Sequence, residues 1–284
     1  MEKEAMNNYE QDIATYTQAI KQNPRDAEAY FGRADAYVRL GDIDRGIADF
    51  SKAIKYKPDY AEAYGNRGVL YIYKHEFDRG IADCTRQISC MPDDAVRGYV
   101  NRGAAYAQKG DYDRAVADCT EAIKRKPEFA EAYFNRGLAY NGKGDYEQCI
   151  ADGTTAITIN PQLVEAYYCR AIGYLRRGKE GDFEAVIADC TKAISINPRY
   201  AEAYVGRAIV HYEYEEYDRV VKDCTKAIAI KPEMTEAYRY RGLAYYHSGK
   251  LEEALEDCTE AIDGDPNQPD VVQVLEALQR LLRQ

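Results

Sequence analysis

Residues 130–161 read AEAYFNRGLAYNGKGDYEQCIADGTTAITINP, and this stretch decides the fold. Apolar and small residues recur every three or four positions on both sides of the Gly144-Asp145 pair, which is the spacing of two amphipathic helices. Asp145 is suited to cap the second helix, and Pro161 ends it. The stretch therefore predicts a helix–turn–helix unit.

The same unit recurs along the whole chain. Its closing proline returns every 34 or 35 residues, with one interval of 37 residues in which the extra residues lie near 178–181. A loop insertion between two helices explains the longer interval, and a partner contact there is the alternative. Self-similarity at this period is typical of a solenoid built from stacked helix pairs. The closing residues are Pro24, Pro58, Pro92, Pro127, Pro161, Pro198, Pro232 and Pro266.

The unit resembles the tetratricopeptide repeat. With Ala130 as position 1, the family's small residues at positions 8, 20 and 27, its aromatic residues at 4, 11 and 17, and its proline at 32 fall on Gly137, Cys149, Ala156, Tyr133, Tyr140, Tyr146 and Pro161. Position 4 is tyrosine in all seven full units. The resemblance implies an all-α fold, a right-handed α-solenoid (superhelix) of antiparallel helix pairs.

The two ends differ from the interior units, as solenoid ends do. We expect one solenoid over residues 1–284, with an N-terminal half-repeat in 1–26, seven units in 27–266 and a C-terminal capping helix in 267–284. Asp12 occupies a position of the half-repeat where a small residue is expected. The capping helix has one apolar stripe, and docking to another protein is its alternative role. That stripe contains Val271, Val274, Leu275, Leu278 and Leu282.

Position 7 is arginine and position 23 is aspartate in every full unit. Two opposite charges that recur together on facing helices predict an ion pair within each unit, because the guanidinium fork takes a carboxylate with two hydrogen bonds. Losing one partner of a buried pair costs about 3–5 kcal/mol. A column of arginines that recognises phosphate or carboxylate is the alternative. The predicted structural ladder comprises Arg33, Arg67, Arg102, Arg136, Arg170, Arg207, Arg241, Asp49, Asp83, Asp118, Asp152, Asp189, Asp223 and Asp257.

Five of the eight cysteines occupy position 24 of their units. Equivalent positions of stacked units are too far apart for disulfide geometry, so we expect buried, reduced thiols and a reducing compartment. No cysteine or histidine has the spacing of a zinc site, and no nucleophile or phosphate-loop motif is present. The sequence therefore predicts neither an enzyme nor a metal or other cofactor. The five residues are Cys84, Cys119, Cys190, Cys224 and Cys258.

Net charge and hydropathy indicate which classes of partner and which location the protein is expected to have. The net charge of −10 argues against a general nucleic-acid binder. No segment approaches the roughly 20 apolar residues that a membrane helix needs, and the first residues lack the apolar core of a secretory leader. We expect a cytoplasmic protein without membrane insertion.

The resemblance implies that partners bind the concave face formed by the first helix of each unit, where positions 2, 5, 6, 9, 12 and 13 lie. Position 6 is asparagine in three successive units, and an amide can pair with the backbone of an extended peptide. Packing between units is the alternative for the apolar members, and capping is the alternative for the asparagines. The predicted groove contains Asn66, Asn101, Asn135, Val69, Ile72, Tyr73, Phe134, Leu138, Tyr168, Ile172, Leu175, Ile209 and Tyr212, with Leu243 and Tyr246 beyond.

Position 2 is glutamate in six units and Arg97 in the other. This distribution favours a partner with basic residues beside an apolar or aromatic core. We expect a non-enzymatic scaffold or adaptor that binds an extended peptide or a helix of another protein in the groove. Two alternatives stay open. The chain could self-associate as a homodimer through its terminal helix, or it could be the regulatory region of a larger enzyme.

Overall fold

The computed structural model describes the backbone of residues 2–281 and the side chains of residues 6–281. Within that range the chain forms sixteen α-helices and no β-strand. It divides into two compact units between Lys143 and Gly144. None of the described helices is both long enough and apolar enough to cross a membrane.

Eight helices belong to each compact unit. The first unit contains α1 (Glu2–Gln22), α2 (Ala27–Arg39), α3 (Ile43–Tyr56), α4 (Ala61–Tyr73), α5 (Phe77–Cys90), α6 (Val96–Gln108), α7 (Tyr112–Arg125) and α8 (Ala130–Lys143). The second contains α9 (Tyr146–Ile159), α10 (Val164–Arg177), α11 (Asp182–Ile196), α12 (Ala201–Glu213), α13 (Tyr217–Ile230), α14 (Thr235–His247), α15 (Leu251–Gly264) and α16 (Pro269–Leu281). The predicted all-α fold is confirmed.

Helices pack in chain order within each compact unit. In the first, α2 packs on α3, α4 on α5 and α6 on α7, while α4, α6 and α8 also touch one another in succession. In the second, α10 packs on α11, α12 on α13 and α14 on α15. The helices α4, α6 and α8 therefore form one continuous wall of first helices, and this wall positions the candidate site described below.

Tight turns join the two helices of a repeat. Asp145 caps α9, because its side chain accepts a hydrogen bond of 3.2 Å from the backbone N–H of Gln148, as predicted. Gly144, just before it, has a φ of +80°. Glycine adopts this left-handed conformation at little cost. In two repeats His75 and Glu215 hold the same position with φ of +60° and +57°, so these turns carry backbone strain.

The closing prolines end the second helices by restricting the residue before them. Lys57 has a ψ of 87° and Asn160 a ψ of 92°, both outside the helical region. The proline ring excludes the helical conformation from the preceding residue. The proline period thus sets where each repeat ends.

Buried cysteines pack where the two helices of a repeat approach most closely. A Cβ atom added at Gly103 would lie 2.9 Å from Cys119 Sγ, and one added at Gly242 would lie 2.8 Å from Cys258 Sγ. Glycine at position 8 therefore makes room for the thiol at position 24. All eight cysteines are free, and seven of them are buried.

One close pair of thiols was not predicted. Cys149 and Cys169 are both fully buried, and their Sγ atoms lie 3.7 Å apart. Cys149 Sγ also donates a hydrogen bond to the carbonyl oxygen of Cys169. These residues occupy positions 20 and 6 of successive repeats, so the recurrence of cysteine at position 24 does not predict their approach.

The last helix packs its apolar stripe against α15. Val271 and Leu278 are fully buried, and Val274 and Leu275 pack on the cluster that contains Cys258. Leu282, the last member of the predicted stripe, lies outside the described residues. Because the described part of the stripe is covered within the chain, α16 has the packing expected of a cap.

Candidate functional site

The arginines at position 7 form bidentate ion pairs with the aspartates at position 23 of the same repeat. Arg67 Nε and Nη2 donate to the two carboxylate oxygens of Asp83 at 2.7 and 2.8 Å. The same geometry recurs in six repeats, with arginine side chains 17% to 21% exposed and aspartate side chains 5% to 11% exposed. The hydrogen bonds to Asp49 raise the pKa of Arg33 above its usual value. These six pairs are Arg33–Asp49, Arg67–Asp83, Arg102–Asp118, Arg170–Asp189, Arg207–Asp223 and Arg241–Asp257.

Each arginine also reaches the preceding repeat. Arg67 Nη1 donates to Ser51 Oγ at 2.9 Å, and Arg207 Nη1 donates to Thr191 Oγ1 at 3.0 Å. The hydroxyl acceptor is always a serine or threonine at position 25. In the six repeats with a described ion pair, the arginine therefore joins its own second helix to that of the repeat before it. The other acceptors are Thr17, Thr85, Thr120, Thr154 and Thr225.

Arg136 and Asp152 belong to different compact units. Within the first unit, Arg136 Nη1 donates to Thr120 Oγ1 at 3.2 Å. Within the second, Asp152 is only 3% exposed. The pairing of these two residues stays a prediction. The six described pairs leave little arginine surface for a ligand, which favours a structural role for position 7.

The three asparagines at position 6 line a single cavity of about 450 Å³ in the first unit. Asn66 lies on α4, Asn101 on α6 and Asn135 on α8. Val69, which is 44% exposed, lines the same cavity. The structure therefore brings together four of the predicted groove residues on the wall of first helices.

Two of the three asparagine amides have no hydrogen-bond partner among the described residues. Asn135 Nδ2 donates to the backbone oxygen of Glu131 at 2.8 Å. No described residue forms a hydrogen bond with the side chain of Asn66 or Asn101. Each free amide offers two donors and one acceptor to a ligand.

Gln87 also lines this cavity, although it lies on a second helix, α5. Its Oε1 atom is buried and has no hydrogen-bond partner in the described part of the chain. Its amide occupies space left by Gly65, where an added Cβ would lie 2.5 Å from Gln87 Nε2, and it borders Gly98. A buried amide oxygen without a partner is an unusual feature and points to a special local role.

Sequence reasoning missed Gln87, although a signal was present. Position 27 is alanine in the other six full repeats and glutamine in this one. Gly65 at position 5 and Gly98 at position 3 are the only glycines at those positions in the seven repeats. Gln87 is larger than the alanine of the other repeats, whereas Gly65 and Gly98 are smaller than the residues at their positions elsewhere. Because the three residues lie side by side, the repeat packing is altered locally at this point.

Most charged groups in the other cavities of the first unit already have partners. In the cavity of about 560 Å³ at the turn before α7, Lys109 pairs with Asp78, and Lys143 pairs with Asp113. In the cavity between α1 and α2, Asp35 pairs with Arg39. The asparagine-lined cavity differs because the side chains of Asn66 and Asn101 have no hydrogen-bond partner in the described part of the chain, so it is the better candidate site.

Several predicted groove residues of the first unit do not line the asparagine cavity. Ile72 is only 8% exposed and packs with Cys84 and Ala105, so its assignment to the groove is wrong. Tyr73 is 72% exposed but lines a different cavity at the turn before α3. Phe134 and Leu138 are half-buried on α8, outside the lining of the asparagine cavity.

Most predicted groove residues of the second unit pack against core clusters instead of lining an open groove. Leu175 packs against one core cluster, and Ile209 and Tyr212 pack against another. Tyr168 contacts Tyr200 edge-to-face with ring centroids 5.7 Å apart. The residues of this group that are half-buried are Tyr168, Ile172, Leu175, Ile209 and Tyr212. An exposed apolar groove in this unit is therefore not observed, and packing between helices is the physical reason.

Models of the tetratricopeptide repeat match most of the chain. They cover residues 96–129, 119–151 and 213–279, and a model described as TPR repeat covers 5–41 and 34–72. The helix pairs described above have the same period. The chain is a tetratricopeptide repeat protein. No curated protein matches its sequence significantly.

Solved structures of the repeat family share this fold. A tetratricopeptide repeat protein from Parabacteroides merdae is 21% identical, with a TM-score of 0.65 over 89% of this chain and 98% of that one. Yeast Tom70 is 16% identical, with a TM-score of 0.68 over 98% of this chain and 60% of that one. The Cut9–Hcn1 hetero-tetramer of the APC/C gives a TM-score of 0.76 at 12% identity, over 95% of this chain and 52% of that one.

Among the described residues, no group of three or more histidine, cysteine, aspartate or glutamate side chains could hold a metal ion. The polar groups gathered at the asparagine cavity are amides and isolated charges instead. Amides in this arrangement can hydrogen-bond the N–H and C=O groups of an extended backbone. The site is thus chemically suited to recognising a peptide.

Proposed function

We propose that this tetratricopeptide repeat protein is a non-enzymatic scaffold or adaptor that binds an extended segment of a partner protein on the wall formed by α4, α6 and α8. The observation that carries the proposal is the row of Asn66, Asn101 and Asn135 on one cavity, where two of the three amides have no partner in the part of the chain that the structure describes. Val69 supplies exposed apolar surface in the same cavity.

An extended peptide can supply hydrogen-bond partners for the free amides of this wall. Each peptide residue carries one backbone donor and one acceptor, and free amides can bond both. Side chains of an extended chain alternate in direction, so every second one can face Val69 and its neighbours. A similar fold occurs in the Cut9–Hcn1 hetero-tetramer, which is a protein–protein assembly. Recognition of a protein segment is therefore the function that the site supports best.

Selection from a random peptide display library tests this proposal. We expect wild-type protein to enrich a shared motif, and we expect Asn101→Ala and Val69→Asp to abolish that enrichment. Gln162→Ala, which truncates an exposed amide of the second unit, is the matched control and should enrich the wild-type motif. Enrichment that survives both cavity variants would place the binding surface elsewhere.

A further inference from the structure

Three charged residues line the asparagine cavity in a row. Glu62 lies on α4, Arg97 on α6 and Glu131 on α8, each at position 2 of its repeat. Because these helices touch in succession, the charges follow one another as negative, positive and negative. Arg97 is the only residue at position 2 that is not glutamate.

Two glutamates at position 2 of other repeats have structural partners. Glu28 pairs with Lys57 at 2.8 Å and accepts a hydrogen bond from Tyr60, and these bonds lower the pKa of Glu28. Glu202 pairs with Lys231 at 3.4 Å. Both lysines follow their glutamate by 29 residues. At that distance from Glu62 the chain has Met91, which cannot form an ion pair.

The charges around the asparagine cavity therefore remain available. In the described part of the chain, the side chains of Glu62, Arg97 and Glu131 form no ion pair and no hydrogen bond with another residue. Seven unusual residues meet here, since the three asparagines, Arg97, Gln87 and the two glycines all lie around one cavity. Because repeat packing does not require these residues at the equivalent positions of other repeats, they point to a binding role for this surface.

We infer that the cavity selects an extended peptide with an acidic side chain between two basic ones. The basic residues face Glu62 and Glu131, and the acidic residue faces Arg97. This inference rests on the proposed function and specifies its ligand. It keeps the basic flanks expected from the sequence and adds an acidic residue between them.

The spacing of the three side chains follows from helix packing. Neighbouring helices lie about 8–10 Å apart, and an extended chain advances about 3.3 Å per residue. Side chains that face the same surface recur every second residue of an extended chain, about 6.6 Å apart, so the basic, acidic and basic residues should be about two residues apart, with the long charged side chains spanning the remaining distance. Complementary charges give specificity more than raw affinity, so a partner with the reverse pattern is rejected by repulsion at all three positions.

Charge reversal at Arg97 tests the inference. Arg97→Glu installs the residue that the other six repeats carry at position 2, so folding should be preserved, as circular dichroism can check. We expect the peptide library to yield an acidic residue at the central position for wild-type protein and a basic one for Arg97→Glu. Arg25→Glu makes the same charge change at an exposed position off the cavity and should select the wild-type motif.

Affinities of the selected peptides make the result quantitative. Arg97→Glu should weaken binding of the wild-type peptide about tenfold, and replacing the central acid with lysine should restore it. An unchanged motif for Arg97→Glu, while Asn101→Ala still abolishes binding, would overturn the charge inference and leave the peptide site intact. Absence of enrichment for every protein would overturn both.

Discussion

At the scale of single residues, position 7 does more than pair two charges. Arg67 binds both oxygens of Asp83 in its own repeat and the hydroxyl of Ser51 in the preceding repeat. The sequence predicted the ion pair, because arginine and aspartate recur together. It did not predict the hydroxyl, because serine and threonine on helices have many local acceptors and donors. Here too the signal was a recurrence, namely serine or threonine at position 25 of the repeats.

The buried carboxylates should be far more important for stability than the exposed ones. Asp118→Ala leaves the guanidinium of Arg102, which is 19% exposed, without its carboxylate, and we expect a loss of about 3 kcal/mol. Asp78→Ala removes an 82% exposed partner of Lys109 and should cost less than about 1 kcal/mol. Urea unfolding of both variants measures the difference, and equal losses would show that the buried pair adds no special stability.

The reactivity of the cysteine thiols tests how tightly the two helices of each repeat pack. Burial raises the pKa of Cys84, Cys190 and Cys258 to about 12, so at pH 8 almost none of these thiols is ionised. Cys90 is the one half-buried cysteine. A thiol-specific disulfide reagent should therefore modify about one thiol per native chain and all eight in denaturant. Cys90→Ser should remove the native reaction, and rapid modification of several thiols in that variant would contradict the burial of the others.

At the scale of helices and turns, the sequence predicted the repeated elements well because each boundary has a local cause. Prolines end the second helices, and aspartates cap three of them. Gln87 shows what a repeat pattern cannot predict. Its amide lies in space left by Gly65, and that fit depends on atoms from three helices. The packing of Tyr212 was likewise missed, since position alone gives the helix face but not the size of the neighbours that cover it.

The strained turn before α13 leads to a prediction about stability. Glu215 has a φ of +57°, in the position where five of the seven repeats have glycine. Glu215→Gly should stabilise the protein by about 1 kcal/mol relative to Glu215→Ala, because only glycine relieves the backbone strain. Both variants remove the same charge, so unfolding midpoints in urea isolate the backbone effect. Equal midpoints would show that the turn is not strained.

At the scale of the whole molecule, α16 covers apolar surface of the last repeat. Repeat arrays need terminal elements that cover the apolar face of the last repeat. Val271 of α16 is fully buried, whereas the adjacent Val272 is 38% exposed. We expect Val271→Asp to destabilise the protein by about 3 kcal/mol, because it buries an unpaired charge. Val272→Asp should change stability by less than about 0.5 kcal/mol. Matching denaturation curves for the two variants would argue against the capping role.

Binding is also a property of the whole molecule, since three repeats contribute to one surface. The sequence predicted the row of asparagines from position 6 alone. It did not predict that the apolar groove would be confined to the first unit, because half-buried residues such as Ile209 pack against a cluster formed by several helices of the second unit. The first unit thus holds both the free amides and the exposed Val69.

The side-chain amide resonances of Asn66 and Asn101 provide the most direct test of the peptide site. Two-dimensional ¹H–¹⁵N spectra would be recorded with and without a peptide selected from the display library, and the asparagine signals assigned with Asn→Ala variants. We predict that the peptide shifts the amide signals of Asn66 and Asn101 and leaves that of Asn267, in the second unit, in place. Shifts at Asn267 with none at Asn66 and Asn101 would contradict the assignment of the cavity as the binding site.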